Sequence, residues 1–259
     1  MSKGRIAPLA VSLAEVPVFI LAGGLGTRLR NVLPDRPKCL AEISGRPFLS
    51  YQLDALDKAG FRRVVLCTGY LANLVYREIG ESFGGLQVSY SREDQPLGTG
   101  GSVRLSLDRY PCDDCLVLNG DSWCDLDYYD LIADYRQTQT PLMVLSEVED
   151  TSRYGRVETD DFGGVIGFAE KGLPGRGWIN AGVYVMPGDS LCQYPAESPI
   201  SLEKELFPGW VEEGRLRGYK SAGRFIDIGT PETLKMASSF FQERFQLIHN
   251  GKRIMEIKS

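Results

Sequence analysis

Two short segments near the start of the chain combine glycines with positive charge. Residues 21–29 read Leu-Ala-Gly-Gly-Leu-Gly-Thr-Arg-Leu. Glycines let the backbone approach an anion and present N–H groups to it, and an arginine donates a fork of hydrogen bonds to phosphate oxygens. Further along, Pro37 fixes the backbone immediately before Lys38, which suits a lysine that is held in one position. Together the two segments predict a polyphosphate site.

Other interpretations of these segments remain open at this point. The dinucleotide-binding pattern requires a third glycine where Leu29 stands, and a Walker loop requires Gly-Lys followed by Ser or Thr. A dinucleotide-dependent oxidoreductase is therefore disfavoured. Glycines after a strand often form only a turn, and a Pro-Lys pair is often a surface turn. The combination is more specific than either segment alone.

Two aspartates are further candidates for the same chemistry. Asp121 follows an apolar strand through Asn119 and Gly120, and open α/β sheets bind ligands at the carboxyl ends of their strands. The alternative is a purely structural role, in which Asp121 only caps a turn. Asp227 lies between Ile226 and Ile228, where a carboxylate requires a partner or a metal ion.

The elements that must position these residues alternate along the chain. Short apolar runs alternate with amphipathic ones, which indicates an α/β fold with a mainly parallel sheet flanked by helices. The predicted strands are 18–21, 64–67, 87–91, 116–118, 141–149, 156–159, 165–170, 179–186 and 216–221. The predicted helices are 47–59, 71–83, 100–110, 126–135 and a last helix from 230 onwards. The prediction is an N-terminal tail, 1–16, followed by one domain, 17–259.

Composition excludes several classes of protein. A net charge of −5 argues against a general nucleic-acid binder, and the single histidine, His249, cannot build a His-rich zinc site. Cys112 and Cys115 form a C-x-x-C without the second pair of a zinc ribbon, and we expect all six cysteines to be reduced thiols. No apolar stretch reaches the ~18 residues of a membrane span. We expect a cytoplasmic protein without a membrane partner.

Six motifs in order resemble those of the sugar-1-phosphate nucleotidyltransferases. They are GGLGTRL with PKCL (23–29 and 37–40), PLGTGG (96–101), NGD (119–121), FAEK (168–171), NAGVY (180–184) and IDIGTP (226–231). The resemblance runs from about residue 17 to about 240. It implies a Rossmann-like mixed, mainly parallel sheet with a small sugar-binding β subregion. It also divides the domain into a nucleotide-binding half, 17–125, and a sugar-phosphate-binding half, 126–259.

The resemblance also implies a role for individual residues. The implied catalytic residues are Arg28, Lys38 and Asp121. The implied nucleotide-binding residues are Leu21, Ala22, Gly23, Gly24, Gly26, Thr27, Arg28, Lys38, Gln95, Gly98, Thr99 and Asp121. The implied sugar-phosphate-binding residues are Gly155, Glu170, Lys171, Asn180 and Gly182. Asp121 and Asp227 are the implied ligands of Mg²⁺, the implied cofactor.

The implied reaction is attack by an oxygen of a sugar 1-phosphate on the α-phosphorus of a nucleoside triphosphate, with release of pyrophosphate. Within the family, the run 93–101 and the compact length most resemble guanylyltransferases that use D-glycero-D-manno-heptose 1-phosphate. This implies GTP as the triphosphate and a GDP-heptose for bacterial capsule or lipopolysaccharide synthesis. A mannose 1-phosphate guanylyltransferase or another pyrophosphorylase of nucleoside-diphosphate hexoses remains the alternative. Relatives also suggest a homodimer or homotetramer.

A catalytically silent protein that only binds a nucleotide sugar is a third possibility. The sequence retains Arg28, Lys38, Asp121 and Asp227, which a pure binding protein could lose. The intact set therefore disfavours a non-catalytic regulator.

Overall fold

The computed structural model describes residues 12–24, 26, 29, 32–169 and 172–249. Its strands are β1 (Val18–Leu21), β2 (Glu42–Ile43), β3 (Arg46–Pro47), β4 (Arg63–Thr68), β5 (Ser82–Phe83), β6 (Leu86–Arg92), β7 (Asp114–Asn119), β8 (Ser122–Cys124), β9 (Leu142–Val148), β10 (Val157–Thr159), β11 (Val165–Phe168), β12 (Gly177–Pro187), β13 (Arg217–Ser221) and β14 (Phe225–Asp227). Its α-helices are α1 (Phe48–Ala59), α2 (Ala72–Ile79), α3 (Gly98–Arg109), α4 (Tyr128–Thr138), α5 (Phe207–Glu212) and α6 (Pro231–His249).

A mixed sheet of eight strands forms the centre of the protein, in the order β13-β9-β12-β7-β1-β4-β6-β5. The strands β7, β1, β4 and β6 run parallel, and β12 joins this group antiparallel to β7. The β10–β11 hairpin and the β14–β8 pair are separate two-stranded ribbons. The predicted α/β fold with a mainly parallel sheet is confirmed.

Strand β1 shows why the sheet is buried on both faces. Val18 and Ile20 pack into one apolar cluster with residues of α1, α2 and α4, whereas Phe19 packs into another with residues of α3 and α5. Side chains alternate across a strand, so a continuous apolar run fits a strand with helices on both sides. This arrangement brings the carboxyl ends of the central strands to one edge.

A third apolar cluster supports the ribbon that carries Asp227. Ile226 and Ile228 pack there with Trp123 of β8 and with Ala237 and Phe241 of α6. The cluster buries the residues on either side of the aspartate and leaves its own side chain at the surface of the ribbon. Helix α6 begins at Pro231, as the sequence predicts.

Several elements differ from the prediction. The predicted helix 71–83 ends at Ile79, because Gly80 takes a φ of 75° and residues 82–83 pair with β6 instead. A π-helical turn, Leu202–Leu206, and the short helix α5 were not predicted. The boundary at residue 17 stays a prediction, although Leu13 and Val16 already lie buried in the core. No helix among the described residues is long and apolar enough to span a bilayer.

Candidate active site

The first glycine loop and the Asn-Gly-Asp turn leave the sheet side by side. Leu21 lies opposite Asn119 in the register of β1 and β7, and the Gly120 N–H donates to the Leu21 carbonyl at 3.0 Å. A cavity of about 170 Å³ opens at this edge. Six of the predicted nucleotide-site residues line it: Leu21, Ala22, Gly24, Gly26, Lys38 and Asp121.

Lys38 and Asp121 form an ion pair inside this cavity. Lys38 begins a single 3₁₀ turn after Pro37, and its Nζ lies 2.5 Å from Asp121 Oδ2. The lysine side chain is 15% exposed and the aspartate side chain 40%. A lysine held by its backbone on a stiff turn, with its ammonium at the sheet edge, can therefore reach a phosphate bound over the glycine loop.

The β14–β8 ribbon brings the second aspartate to the first. Asp227 lies opposite Ser122 in the antiparallel register, and the Ile228 N–H donates to the Asp121 carbonyl at 2.9 Å. A Cβ at Gly229 would lie 2.5 Å from Asp227 Oδ1 and 3.4 Å from Lys38 Nζ. The structure therefore gathers Lys38 and both predicted metal ligands around one small space.

Asp227 is held by three donors. Its Oδ1 accepts the Gly229 N–H at 2.8 Å, and its Oδ2 accepts the Tyr154 hydroxyl and lies 3.5 Å from Arg153 Nη2. Burial raises the pKa of Tyr154 well above its ordinary value, and the hydrogen bond to Asp227 raises it further. The phenol therefore stays a donor. Neither Arg153 nor Tyr154 lies in a motif to which the resemblance gives a site role, and both come from a loop distant in the chain from Asp227.

The donor set of the two aspartates fits a magnesium ion. Mg²⁺ prefers hard oxygen ligands and is commonly held by one or two carboxylates, with substrate phosphates and waters completing the octahedron. Among the described residues, no group of three or more His, Cys, Asp or Glu side chains could enclose a metal by itself.

The loop that carries the implied nucleotide-binding residues Gln95, Gly98 and Thr99 lies beside residues 200–203. Gly98 takes a φ of 71°, and a Cβ there would lie 2.6 Å from the Ile200 carbonyl oxygen. The close approach at Gly98 is therefore made by the chain's own backbone. The Thr99 hydroxyl donates to Glu203 at 2.7 Å, and Gln95 is exposed. Nucleotide contacts for Gln95, Gly98 and Thr99 stay predictions.

The predicted sugar residues of β12 pack against the turn that carries Asp121. Asn180 accepts the Gly182 N–H at 2.8 Å and donates to the Tyr184 hydroxyl at 2.8 Å. Gly182 takes a φ of 73°, and a Cβ there would lie 2.6 Å from Asn119 Nδ2 and 2.7 Å from Ser122 Oγ. Only glycine fits this bulge, which packs β12 against the segment of Asn119 and Ser122.

Of the remaining predicted site residues, the structure describes two, Gly23 and Gly155. Gly155 precedes β10, and a Cβ there would lie 3.2 Å from the Ala169 carbonyl oxygen. Four predicted site residues lie outside the described residues: Thr27, Arg28, Glu170 and Lys171.

Glu93 begins the run 93–101, but the resemblance implies no site role for it. A Cβ at Gly23 would lie 3.1 Å from Glu93 Oε1, and the Leu97 N–H donates to Glu93 Oε2 at 3.3 Å. Burial raises the pKa of this half-buried carboxyl. The acid therefore borders the glycine loop, and the family resemblance of the run 93–101 is the sequence signal at this position.

Fold and site together define an α/β protein with a lysine and two carboxylates at the carboxyl edge of its sheet, as a phosphate-handling enzyme requires. The family model described as Nucleotidyl transferase matches residues 17–244. The chain therefore belongs to the nucleotidyl transferase family.

Individual relatives are similar over most of the chain. A D-glycero-alpha-D-manno-heptose 1-phosphate guanylyltransferase of Campylobacter jejuni is 34% identical over 83% of this chain and 95% of its own length. A mannose-1-phosphate guanylyltransferase of Mycobacterium tuberculosis is also 34% identical, over 87% of this chain but 64% of its own length. The crystal structure of HddC from Yersinia pseudotuberculosis complexed with GMP-PN superposes with a TM-score of 0.79, at 33% identity, over 87% of this chain and 99% of that one. These similarities support an enzyme of the sugar-1-phosphate guanylyltransferase type.

Proposed function

We propose that the protein joins GTP and D-glycero-D-manno-heptose 1-phosphate to give GDP-heptose and pyrophosphate. The observation that carries the proposal is the pairing of Lys38 Nζ with Asp121 Oδ2, 2.5 Å apart, next to Asp227 at the sheet edge. The heptose 1-phosphate guanylyltransferase of Campylobacter jejuni, matched over 95% of its own length, supports the choice of substrates.

In the proposed reaction, an oxygen of the sugar 1-phosphate attacks the α-phosphorus of GTP. The bond from this phosphorus to the bridging oxygen breaks, and pyrophosphate leaves with the electron pair. A phosphate monoester is already ionised at neutral pH, so the attacking group requires no general base. Catalysis then consists of positioning and charge stabilisation.

Lys38 is the residue to which we assign the charge stabilisation. Its ammonium would leave Asp121 and contact the α-phosphate, where negative charge increases during the reaction. A cation that is already in position stabilises such charge without reorganisation at the moment of reaction. Arg28 is assigned the neighbouring phosphate oxygens, together with the backbone of Gly23, Gly24 and Gly26.

We propose Mg²⁺ as the cofactor, held by Asp121 and Asp227. Bound there, the ion would neutralise and orient phosphate oxygens. Family members generally use a divalent metal, and the two carboxylates leave room for ligands from the substrate. Tyr154 and the Gly229 N–H would keep Asp227 oriented, since each donates to one of its oxygens.

The two halves of the domain would divide the substrates between them. We assign the nucleotide to residues 17–125, including Leu21, Ala22, Thr27 and the loop of Gln95, Gly98 and Thr99. We assign the sugar phosphate to residues 126–259, through Gly155, Glu170, Lys171, Asn180 and Gly182. The contact between Gly182 and Asn119 would hold the two substrates at a fixed separation.

Mannose 1-phosphate is the second candidate substrate. Mannose-1-phosphate guanylyltransferases reach 37% identity, in the catalytic subunit beta of Danio rerio, but this chain spans 61% of that relative's length. Heptose therefore remains the first choice. The product would serve bacterial capsule or lipopolysaccharide synthesis in the cytoplasm, and the six free cysteines suit that reducing compartment. A homodimer or homotetramer is also part of the proposal.

The test is pyrophosphate release from a panel of triphosphates with heptose 1-phosphate or mannose 1-phosphate. We expect the highest kcat/KM with GTP and heptose 1-phosphate, and no turnover without a divalent metal. A preference for mannose 1-phosphate would change the sugar, and a preference for another triphosphate would change the base. Release from no pair, with a correctly folded protein, would overturn the enzyme proposal.

A further inference from the structure

Gln52 of α1 is hydrogen-bonded to both ends of the turn that carries Asp121. The side chain is in the core, with the residue 4% exposed. Its Nε2 donates to the Asn119 carbonyl at 2.9 Å and to the Ser122 carbonyl at 2.9 Å. These two carbonyls flank Gly120 and Asp121, so a single amide group fixes both ends of the segment that presents the carboxylate.

The chemistry of the amide determines its orientation. The NH₂ group of a glutamine has two donors, and both are used here, one for each carbonyl. Turning the amide over would place Oε1 against two carbonyl oxygens, which repel it. In the orientation described, Oε1 of Gln52 is buried without a hydrogen-bond partner among the described residues.

The unpaired oxygen shows that Gln52 is a poor choice for stability alone. A buried acceptor without a donor costs free energy, and an apolar side chain of similar size would avoid this cost. The two hydrogen bonds from Gln52 to the turn compensate for the cost of this unpaired oxygen. Their effect falls on the position of Asp121, which lines the cavity shared with Lys38 and pairs with it there.

Helix α1 is a firm base for such a contact. Leu49, Leu53 and Leu56 are fully buried in the core beneath the sheet, so the helix cannot follow small movements of the turn. On the opposite side, the Ile228 N–H donates to the Asp121 carbonyl at 2.9 Å. The backbone of the turn is thus tied to a core helix and to the ribbon of Asp227.

We propose that Gln52 is a positioning residue that sets the Asp121 carboxylate for binding of the divalent metal. The inference rests on the proposed function and deepens it, because it assigns to α1 a part in the site. Gln52 does not touch substrate or metal. It acts through the backbone of residues 119–122, so its loss changes metal affinity more than it changes folding.

The test replaces Gln52 with methionine, which has a similar size and no donor. The matched control is Tyr51→Phe, on the same helix, which removes the hydrogen bond from the Tyr51 hydroxyl to the Ile43 carbonyl at 2.8 Å. Binding of Mn²⁺ is measured by electron paramagnetic resonance with the α,β-methylene analogue of GTP, so no turnover is needed. The Mg²⁺ dependence of pyrophosphate release is measured in parallel.

We expect Gln52→Met to weaken Mn²⁺ binding by about tenfold or more, as the loss of a residue that orients a metal ligand commonly does. The Mg²⁺ concentration for half-maximal rate should rise in parallel, and kcat at saturating Mg²⁺ should change less. Tyr51→Phe should leave Mn²⁺ affinity as in the wild type. Gln52→Asn retains an amide that is one methylene too short, and it should show the same weakening.

Unchanged Mn²⁺ affinity in either folded Gln52 variant would overturn the inference, as would an equal loss in Tyr51→Phe. If Gln52→Met does not fold, Gln52→Asn decides the outcome, and if neither folds, Gln52 is a folding residue and the inference is wrong. Failure of the proposed function is distinguishable, since the wild type itself would then release no pyrophosphate.

Discussion

The two aspartates of the site, Asp121 in the turn between β7 and β8 and Asp227 at the end of β14, are held in opposite ways. Asp121 is fixed through its backbone, by Gln52 on one side and by the Ile228 N–H on the other, whereas its half-exposed carboxylate has Lys38 as its ion-pair partner. Asp227 is fixed through its carboxylate, which accepts from Tyr154 and Gly229 and is 17% exposed.

This difference assigns the two residues different parts in the proposed reaction. A carboxylate whose main partner is a flexible ammonium can exchange that partner for a metal ion while its backbone stays in place. A carboxylate with several fixed donors is already oriented, and its hydrogen bonds change little when a metal ion binds. We therefore expect Asp121 to be the exchanging ligand and Asp227 the fixed one.

Removing the exchangeable partner should have the largest effect. Lys38→Ala should lower kcat by at least ~10²-fold, the cost of deleting one group that stabilises transition-state charge. The melting temperature should stay close to that of the wild type, because the ion pair is partly exposed and such pairs contribute about 0–1 kcal/mol. Pyrophosphate release measures kcat, and thermal melting measures the melting temperature. Near-normal kcat would remove Lys38 from the reaction.

The second prediction compares the aspartates directly through matched substitutions. Asp121→Asn and Asp227→Asn should both raise the Mg²⁺ requirement by roughly 10–100-fold or more. Only Asp227→Asn should lower stability, by about 2 kcal/mol, because the amide can no longer accept from both Tyr154 and Gly229. For a chain of this size this corresponds to a melting temperature lower by roughly 4–8 °C. Equal melting temperatures for the two variants would contradict the comparison.

Tyr154→Phe should have a smaller effect on the same site. The ring stays packed on Phe225, but the hydroxyl no longer orients Asp227. We expect a loss of stability of about 1 kcal/mol and a severalfold rise in the Mg²⁺ requirement. The control is Tyr76→Phe, which removes a bond of 2.9 Å to the exposed Glu81 far from the site. Equal responses of the two variants would show that Tyr154 does not orient the ligand.

The smallest effect concerns the reactivity of two buried thiols close to the aspartates. Cys39, beside Asp121, and Cys124, in the strand paired with that of Asp227, are buried, and burial raises the pKa of each thiol to about 12. A thiol with a raised pKa is almost wholly protonated at pH 8, and the thiolate is the reactive form. Iodoacetamide at pH 8 should therefore modify the exposed Cys192 but neither buried thiol, as detected by mass spectrometry. Unfolded protein in urea is the control, and rapid modification of Cys39 would show that the 3₁₀ turn of Lys38 opens.

Much of the fold could be predicted from the sequence because its signals are local. A short continuous apolar run such as 18–21, followed by glycines, indicates a strand with cover on both faces, and the glycine after a helix marks its end. The helix predicted at 71–83 was too long, since the apolar pattern continues into a hairpin strand that pairs with β6. Only the pairing of residues 82–83 with β6 distinguishes a strand from a continued helix there.

The sequence by itself determined which residues could do chemistry: the glycine loop, Lys38, Asp121 and Asp227 all occur in short motifs. Their assembly was decided by tertiary structure. Asp227 reaches Asp121 through the pairing of β14 with β8. From elements distant in the chain, Gln52 bonds to both ends of the turn that carries Asp121, and Tyr154 bonds to the Asp227 carboxylate. Local sequence carries residue type and periodicity, but contacts between distant segments depend on how helices and strands pack. The partners that orient a catalytic group are therefore visible only in the folded protein.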